Sequence, residues 1–130
     1  MIVLDTHALV FDALEPRRLS HRARTAIEEG AESGTLACSD ISLWEIAMLI
    51  ARRRIAVQAD AIQFLDKAVQ ARSVKVLPVS SRIAVIAQSD AFAHGDPVDR
   101  IIAATALAHR ARLVSADARL RRMKGIEVIW

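Results

Sequence analysis

The sequence is poor in cysteine, in aromatic residues and in long apolar runs. Its one cysteine, Cys38, excludes an internal disulfide and suits a reducing compartment, so we expect a cytoplasmic protein. No apolar run approaches the roughly 18 residues that span a bilayer, and the N-terminal MIVLDTH lacks the basic start of a signal peptide. Because only 4% of the residues are aromatic, we expect a core of alanine, isoleucine, leucine and valine.

The sequence also lacks the motifs of several enzyme classes. It has no glycine-rich dinucleotide motif, no P-loop and no G-x-S-x-G nucleophile motif. Its four histidines do not have the spacing of zinc ligands: His7, His21, His94 and His109. The sequence does not exclude a Ser/His/Asp catalytic triad, although no local pattern positions one.

Charge is distributed unevenly along the chain. The net charge is +3, but residues 1–99 carry 11 basic and 13 acidic side chains, whereas residues 100–130 carry 7 basic and 2 acidic ones. Of the 18 basic residues 15 are arginine, whose planar guanidinium suits phosphate. A basic C-terminal segment is compatible with a nucleic-acid partner, and equally with a solvated basic surface.

Short apolar runs alternate with helical patterns over the whole chain, which indicates one domain, 1–130. The expected strands are 2–5, 35–39, 74–79, 112–116 and 126–130. The expected helices are 6–14 with Thr6 as a cap, 20–30 with Gly30 as the stop, about 41–53, one from Asp60, one from Ser80 or Ser81 through Ala91, and 98–109. This alternation predicts an α/β fold with a mainly parallel sheet of about five strands and helices on both faces.

Acidic residues stand where such a fold binds ligands. Asp5 ends the first predicted strand and Asp117 follows the fourth, and parallel sheets bind ligands outside the carboxyl ends of their strands at a switch point. Asp99 opens an apolar helix, and Glu45 lies between the apolar residues of another. The predicted topology therefore brings four carboxylates to one edge of the sheet.

Each acid also has a local explanation. Asp5, Asp96 and Asp117 are suited to cap the helices that follow them, and Ser42 with Glu45 has the spacing of a capping box. Four carboxylates at one edge, however, repel one another unless a counter-charge is present. A hard divalent cation such as Mg²⁺, which prefers oxygen ligands and leaves positions for phosphate, is the natural partner.

Four segments, in order, resemble the PIN domain and more narrowly the VapC toxins of bacterial toxin–antitoxin pairs: LDTHALVF, SDISLWEIAML, HGDPVDRIIAATALAH and LVSAD. The similarity spans the whole chain. It implies an endoribonuclease that depends on Mg²⁺ or Mn²⁺, with catalytic and metal-binding acids at Asp5, Glu45, Asp99 and Asp117. The resemblance adds three supporting residues: Thr6, Ser115 and Asp96.

The resemblance also implies partners. Arginines that flank two of the acids are candidates for contacts with RNA phosphates: Arg100, Arg119, Arg121 and Arg122. A VapB-like antitoxin is expected in a groove between the first and third helices, at Trp44, Met48, Leu49 and Phe11, although burial in the core would also explain these apolar residues. A homodimer is expected as in the family, with no surface assigned to it. The alternative function is a PIN-like nuclease in RNA processing or on DNA structures, without an antitoxin.

Overall fold

In the computed structural model, which describes residues 1–92 and 95–130, five short strands form one parallel sheet. The strands are β1 (Ile2–Leu4), β2 (Leu36–Ser39), β3 (Lys75–Leu77), β4 (Arg112–Val114) and β5 (Val128–Ile129). Their order is β3-β2-β1-β4-β5, and every neighbouring pair is parallel. The predicted α/β fold is confirmed. His94 of the HGDPVD segment lies outside the described residues.

Seven α-helices within the described ranges connect and cover the strands. They are α1 (Thr6–Leu14), α2 (His21–Glu32), α3 (Asp40–Ala51), α4 (Ala61–Gln70), α5 (Ser81–Ile86), α6 (Pro97–Ala108) and α7 (Ala118–Arg121). Two short 3-10 helices, Pro16–Arg18 and Asp90–Phe92, complete the connections. None of these helices combines the length and apolar character that crossing a bilayer requires.

The core has two halves, one on each face of the sheet. Successive residues of β1 alternate between them: Ile2 and Leu4 pack with Leu9 of α1 and Ile27 of α2, whereas Val3 packs in the half that contains α6. Alternation arises because successive side chains of a strand point to opposite faces. Helices on both faces are therefore confirmed, and strands buried on both sides explain the continuous apolar runs.

The strand order reverses beside β1, and this places the acids. β1 pairs with β2 on one side and with β4 on the other, in a register that sets Leu4 beside Val114. The backbone N–H of Asp5 then donates to the carbonyl of Val114 at 3.1 Å. The carboxyl ends of β1 and β4 thus meet at a topological switch point, where parallel sheets form their ligand crevice.

Gly30 does not end its helix, contrary to the prediction. It lies buried inside α2, which continues to Glu32. A Cβ at Gly30 would come within 2.5 Å of the Leu36 side chain, so glycine is needed here for close packing of α2 on β2. The chain reverses instead at Gly34, whose φ of +66° favours glycine.

Three other local predictions are also wrong. Ser39, not Ser42, caps α3, so the capping box of Ser42 with Glu45 does not exist. Asp5 caps α1, and Thr6 is the first residue of that helix rather than its cap. The helix predicted through residue 91 ends at Ile86, because the chain turns there into the 3-10 helix that inserts Phe92 into the core.

Candidate metal centre

Asp5 is held rigidly at the carboxyl end of β1. Its side chain is almost fully buried and accepts a hydrogen bond from the backbone N–H of Ala8 at 2.6 Å, which makes it the N-cap of α1. Burial raises the pKa of Asp5, against the hydrogen bonds from Ser115 and Ala8. The charge of Glu45 adds to this increase in pKa. The cap uses one oxygen of the carboxylate, so capping by itself does not exclude a site role for Asp5.

Buried hydroxyls surround Asp5. Ser115 follows β4, and its hydroxyl accepts a hydrogen bond from the backbone N–H of Asp117 at 3.1 Å while its side chain hydrogen-bonds Asp5. Thr6 donates to the hydroxyl of Ser42 on α3 at 3.2 Å. All three hydroxyl side chains are at most 1% exposed. They link the segments that carry the predicted acids.

Asp99 lies in the first turn of α6 and faces the other acids. Burial is the largest cause that raises its pKa to about 6. The charges of four other carboxylates raise the pKa further, in decreasing order Asp96, Glu45, Asp117 and Asp5. Three of these carboxylates, Glu45, Asp117 and Asp5, are the other predicted metal ligands, so each of them acts electrostatically on Asp99. Ionising all four predicted ligands therefore requires a counter-charge.

Arg119 supplies part of that counter-charge. Its guanidinium donates from Nε and Nη2 to the two carboxylate oxygens of Asp117, at 3.2 and 2.9 Å. The same Nη2 reaches Asp99 at 3.5 Å. The side-chain hydrogen bonding between Arg119 and Asp117 is the main reason why the pKa of Asp117 is lowered. Asp117 also caps α7 by accepting from the backbone N–H of Arg119 at 2.8 Å.

Asp96 stands at the periphery of this cluster. It is exposed and caps α6 through the backbone N–H of Val98, at 2.9 Å, as the local reading of the sequence predicted. Its charge still acts on Asp99, so it contributes to the field of the acidic cluster.

The donor chemistry of the cluster fits a hard divalent cation. The four acids offer only oxygen ligands, which Mg²⁺ and Mn²⁺ prefer, and a guanidinium already stands between two of them. Within residues 1–92 and 95–130, no three histidine, cysteine, aspartate or glutamate side chains stand close enough to enclose an ion as they lie. A metal would therefore require these carboxylates to draw together.

The four predicted RNA-contact arginines differ in their surroundings. Arg100 donates from Nε to the carbonyl of Ala87 at 3.0 Å and so ties α6 to the segment after α5. Arg121 and Arg122 are exposed at the end of α7, close in sequence to Asp117. Beside the acids, a cavity of about 180 Å³ is lined by Asp99, Asp117, Arg119, Phe92, Leu120 and Met123, among others.

The predicted antitoxin residues separate into two pairs. Phe11 and Leu49 line a groove of about 550 Å³, together with His7, Val10, Leu14, Glu15, Arg18, Arg54, Ile55 and Ala56. Trp44 and Met48 are not among its lining residues, and Trp44 is 58% exposed. We call this surface, between α1 and the segment after α3, the α1 groove. Its residue His7 acts on the pKa of Asp5, so the groove adjoins the acids.

The contacts of two residues escaped sequence reasoning. Ser42 was assigned to a capping box, and only the contact with Thr6 across 36 positions reveals its role. Arg119 was considered only for RNA, although its position two residues after Asp117 is a local signal for a side chain that returns to the acid.

A family profile of the PIN domain matches residues 2–126. This chain belongs to the PIN-domain family. It is 39% identical over 121 residues to Ribonuclease VapC22 of Mycobacterium tuberculosis, with 92% of this chain and 89% of that protein covered. This similarity places the PIN domain described here among the VapC-like members. Nucleases of the family generally use a divalent metal ion.

Solved structures show the same fold. A chain of VapBC2 from Rickettsia felis, solved with a DNA fragment from its promoter, has a TM-score of 0.74 and 19% identity and covers 98% of this chain and 97% of that one. A chain of FitAcB from Neisseria gonorrhoeae has a TM-score of 0.65 and 22% identity, with 98% and 96% covered. At these identities the likeness concerns the fold of the PIN domain.

Proposed function

We propose that this PIN domain is an endoribonuclease that depends on Mg²⁺ or Mn²⁺ and acts as the toxin of a toxin–antitoxin pair. The observation that carries the proposal is the meeting of the carboxyl ends of β1 and β4, where Asp5 and Asp117 lie and where Arg119 bridges Asp117 to Asp99 of α6. The charge of Glu45 on α3 also raises the pKa of Asp5 and of Asp99. The 39% identity to a protein named as a ribonuclease supports the choice of reaction.

In this proposal, the protein supplies a set of oxygen ligands carried by rigid backbone segments. A divalent ion held by them would neutralise charge on the phosphate and lower the pKa of a bound water. Asp5 is fixed by its capping hydrogen bond, and Ser115 connects it to the backbone N–H of Asp117. The backbone segments that carry these acids therefore keep their relative positions while the side chains draw together on the ion. Fixed ligands on helix and strand ends hold a reactive geometry better than mobile loops do.

The substrate backbone would be recognised by charge. The acids repel RNA on their own, so phosphate can approach only when cations balance them. Arg121 and Arg122 are exposed beside this site and are the arginines we assign to the RNA backbone. We do not assign Arg100 to the RNA backbone, because its hydrogen bond to the carbonyl of Ala87 ties it to the segment after α5.

The antitoxin would bind in the α1 groove. Its lining combines apolar side chains, such as Phe11, Leu14 and Leu49, with the charged residues Arg18 and Arg54. Such a surface suits a helix or an extended segment with apolar anchors. Because His7 connects the groove to Asp5, a basic side chain of the bound segment could reach the acids. We place the pair in the cytoplasm, where RNA is available.

A homodimer is the remaining part of the proposal. Exposed apolar side chains outside the α1 groove include Trp44 on α3 and Val85 on α5, and both helices pack against α6. We assign these side chains to contact with a second copy. Size measurement of Trp44→Glu and Val85→Glu variants should then show monomers, and dimers in both variants would exclude this surface.

Cleavage of a single-stranded RNA by the purified chain tests the enzymatic proposal. Cleavage should require Mg²⁺ or Mn²⁺, stop with chelator and fail in Asp5→Asn. Single-stranded DNA of the same sequence is the control substrate. Expression should arrest growth, and co-expression of a neighbouring antitoxin gene should restore it. Cleavage without growth arrest, or cleavage of structured DNA, would favour the alternative of a nuclease outside toxin–antitoxin systems.

A further inference from the structure

Arg119 makes an ion-pair bridge between two acids of the site. Its Nη2 lies 2.9 Å from Oδ2 of Asp117 and 3.5 Å from Oδ2 of Asp99. Its Nε adds a third contact, to Oδ1 of Asp117 at 3.2 Å. One guanidinium thus serves carboxylates from α6 and from the segment after β4, which are 18 positions apart in sequence.

The bridge has little connection to the rest of the fold. The Arg119 side chain is 64% exposed, and every polar contact it makes within the described residues goes to Asp99 or Asp117. The helix cap at this point depends on the backbone N–H of Arg119, not on its side chain. Removal of the guanidinium should therefore alter the acids while leaving α7 capped.

A guanidinium and a metal ion compete for the same oxygens. Both neutralise paired carboxylates, and an ion that draws oxygens of Asp99 and Asp117 towards itself competes with the contacts of Arg119 for their charge and their lone pairs. The displaced side chain is long, exposed and adjacent to the acids, and its planar fork matches phosphate.

We propose that Arg119 is a positioning residue that bridges Asp99 and Asp117 while no metal is bound and moves to an RNA phosphate when a metal takes the two carboxylates. The first half concerns the bridge between the two acids and its competition with a metal ion, and it does not involve RNA. The second half rests on the proposed ribonuclease function. In this scheme Arg119 keeps the ligands near each other before metal binding and links the arrival of metal to the capture of RNA.

Metal affinity without RNA tests the first half. Titration calorimetry with Mn²⁺ should show that Arg119→Ala binds the ion at least about threefold more tightly than the parent, because a competing surface ion pair has been removed. Arg121→Ala is the matched control, since it removes the same charge from the same helix, and its affinity should change by less than that. Equal or weaker binding of Mn²⁺ by Arg119→Ala would overturn the competition.

RNA affinity with and without metal tests the second half. In chelator, Arg119→Ala should bind single-stranded RNA as the parent does, because Arg119 is engaged with the acids. With Ca²⁺ in place of Mg²⁺, and the RNA shown on a gel to be intact, the variant should bind at least about threefold more weakly and with a flatter salt dependence. An equal loss of RNA affinity in chelator and with Ca²⁺, or no loss in either condition, would exclude the transfer of Arg119 from the acids to an RNA phosphate.

The outcomes of these experiments distinguish a failure of the inference about Arg119 from a failure of the proposed function. If the parent neither binds nor cuts RNA, the ribonuclease proposal and the transfer fail together, whereas tighter Mn²⁺ binding by Arg119→Ala would still support competition. If the parent cuts RNA but the variant binds Mn²⁺ no better, the function stands and the inference about Arg119 is wrong.

Discussion

The hydroxyl of Thr6 donates a hydrogen bond to the hydroxyl of Ser42 at 3.2 Å and thereby joins α1 to α3. Both side chains are buried, with at most 1% of their surface exposed. Asp5 immediately precedes Thr6, and Glu45 lies one turn after Ser42. The contact therefore sets the relative position of two predicted metal ligands from distant parts of the chain.

Ser42→Ala should destabilise the protein and weaken cleavage. The change leaves the buried Thr6 hydroxyl without this partner, which costs about 1–2 kcal/mol of unfolding free energy. Urea denaturation and the cleavage rate measure the two effects. Ser81→Ala, at an exposed position, is the control and should change neither. A Ser42→Ala variant as stable as the parent would show that the hydrogen bond contributes nothing.

Asp5→Asn should abolish cleavage without loss of stability. Asparagine retains an oxygen that can accept from Ala8, and it removes a buried charge whose ionisation is disfavoured. We expect a rate loss beyond the roughly 100-fold that follows removal of an outer-shell partner, with an equal or higher Tm. Asp5→Ala should instead lose about 1 kcal/mol with the cap. Cleavage retained by Asp5→Asn would mean that Asp5 is only a capping residue.

Stability of the metal-free protein should fall as the pH rises from about 4 to about 6. The pKa of Asp99 is about 6 in the folded protein and lies near 4 in an unfolded chain, so the folded state binds more protons within this window. Asp99→Asn should reduce this slope, to which the raised pKa of Asp5 also contributes, and should stabilise the protein at pH 7 by about 1–2 kcal/mol. The exposed Asp66→Asn is the control.

The stabilisation of the protein by added Mg²⁺ should have the opposite pH dependence, increasing as the pH rises. The ion binds ionised carboxylates, so its stabilising effect should grow as the pH rises through about 6. Thermal unfolding across pH 5 to 8, with and without Mg²⁺, measures both trends. A Tm shift by Mg²⁺ that does not vary with pH would separate Asp99 from the metal site.

Joint substitution of Arg121 and Arg122 by alanine should weaken RNA binding and flatten its salt dependence. Loss of two phosphate contacts should reduce the slope of log affinity for single-stranded RNA against log salt by about 1.4. Arg17 with Arg22, exposed near the start of α2, is the control pair of equal charge. Unchanged affinity at low salt would identify Arg121 and Arg122 as a solvated basic surface.

Leu14→Glu should prevent antitoxin binding. Leu14 lines the α1 groove and is 39% exposed, so a charge there disturbs the partner more than the fold. We expect at least about a tenfold loss of affinity, as for an interface hot spot. Ile62→Glu on α4 is the control. If Trp44→Ala lowers affinity and Leu14→Glu does not, the antitoxin uses α3 and not the α1 groove.

Local sequence signals predicted most of the fold but misjudged several residues. Alternating apolar runs indicated the parallel sheet, because strands buried on both faces must be apolar. Gly30 was misread as a helix end, since the sequence does not reveal that Leu36 lies against it. The capping box considered for Ser42 with Glu45 does not form, and local spacing could not reveal that Ser42 instead pairs with Thr6, 36 positions away.

The sequence by itself determined the fold class and the candidate acids. Apolar periodicity and strand-end acids are local properties, and they suffice to predict a sheet whose carboxyl edge carries Asp5 and Asp117. Only the tertiary structure decided which positive charge neutralises the acids. Whether Arg119 turns towards solvent or bridges Asp99 and Asp117 depends on the parallel pairing of β1 with β4 and on the packing of α6, which bring distant backbone segments within reach of one guanidinium.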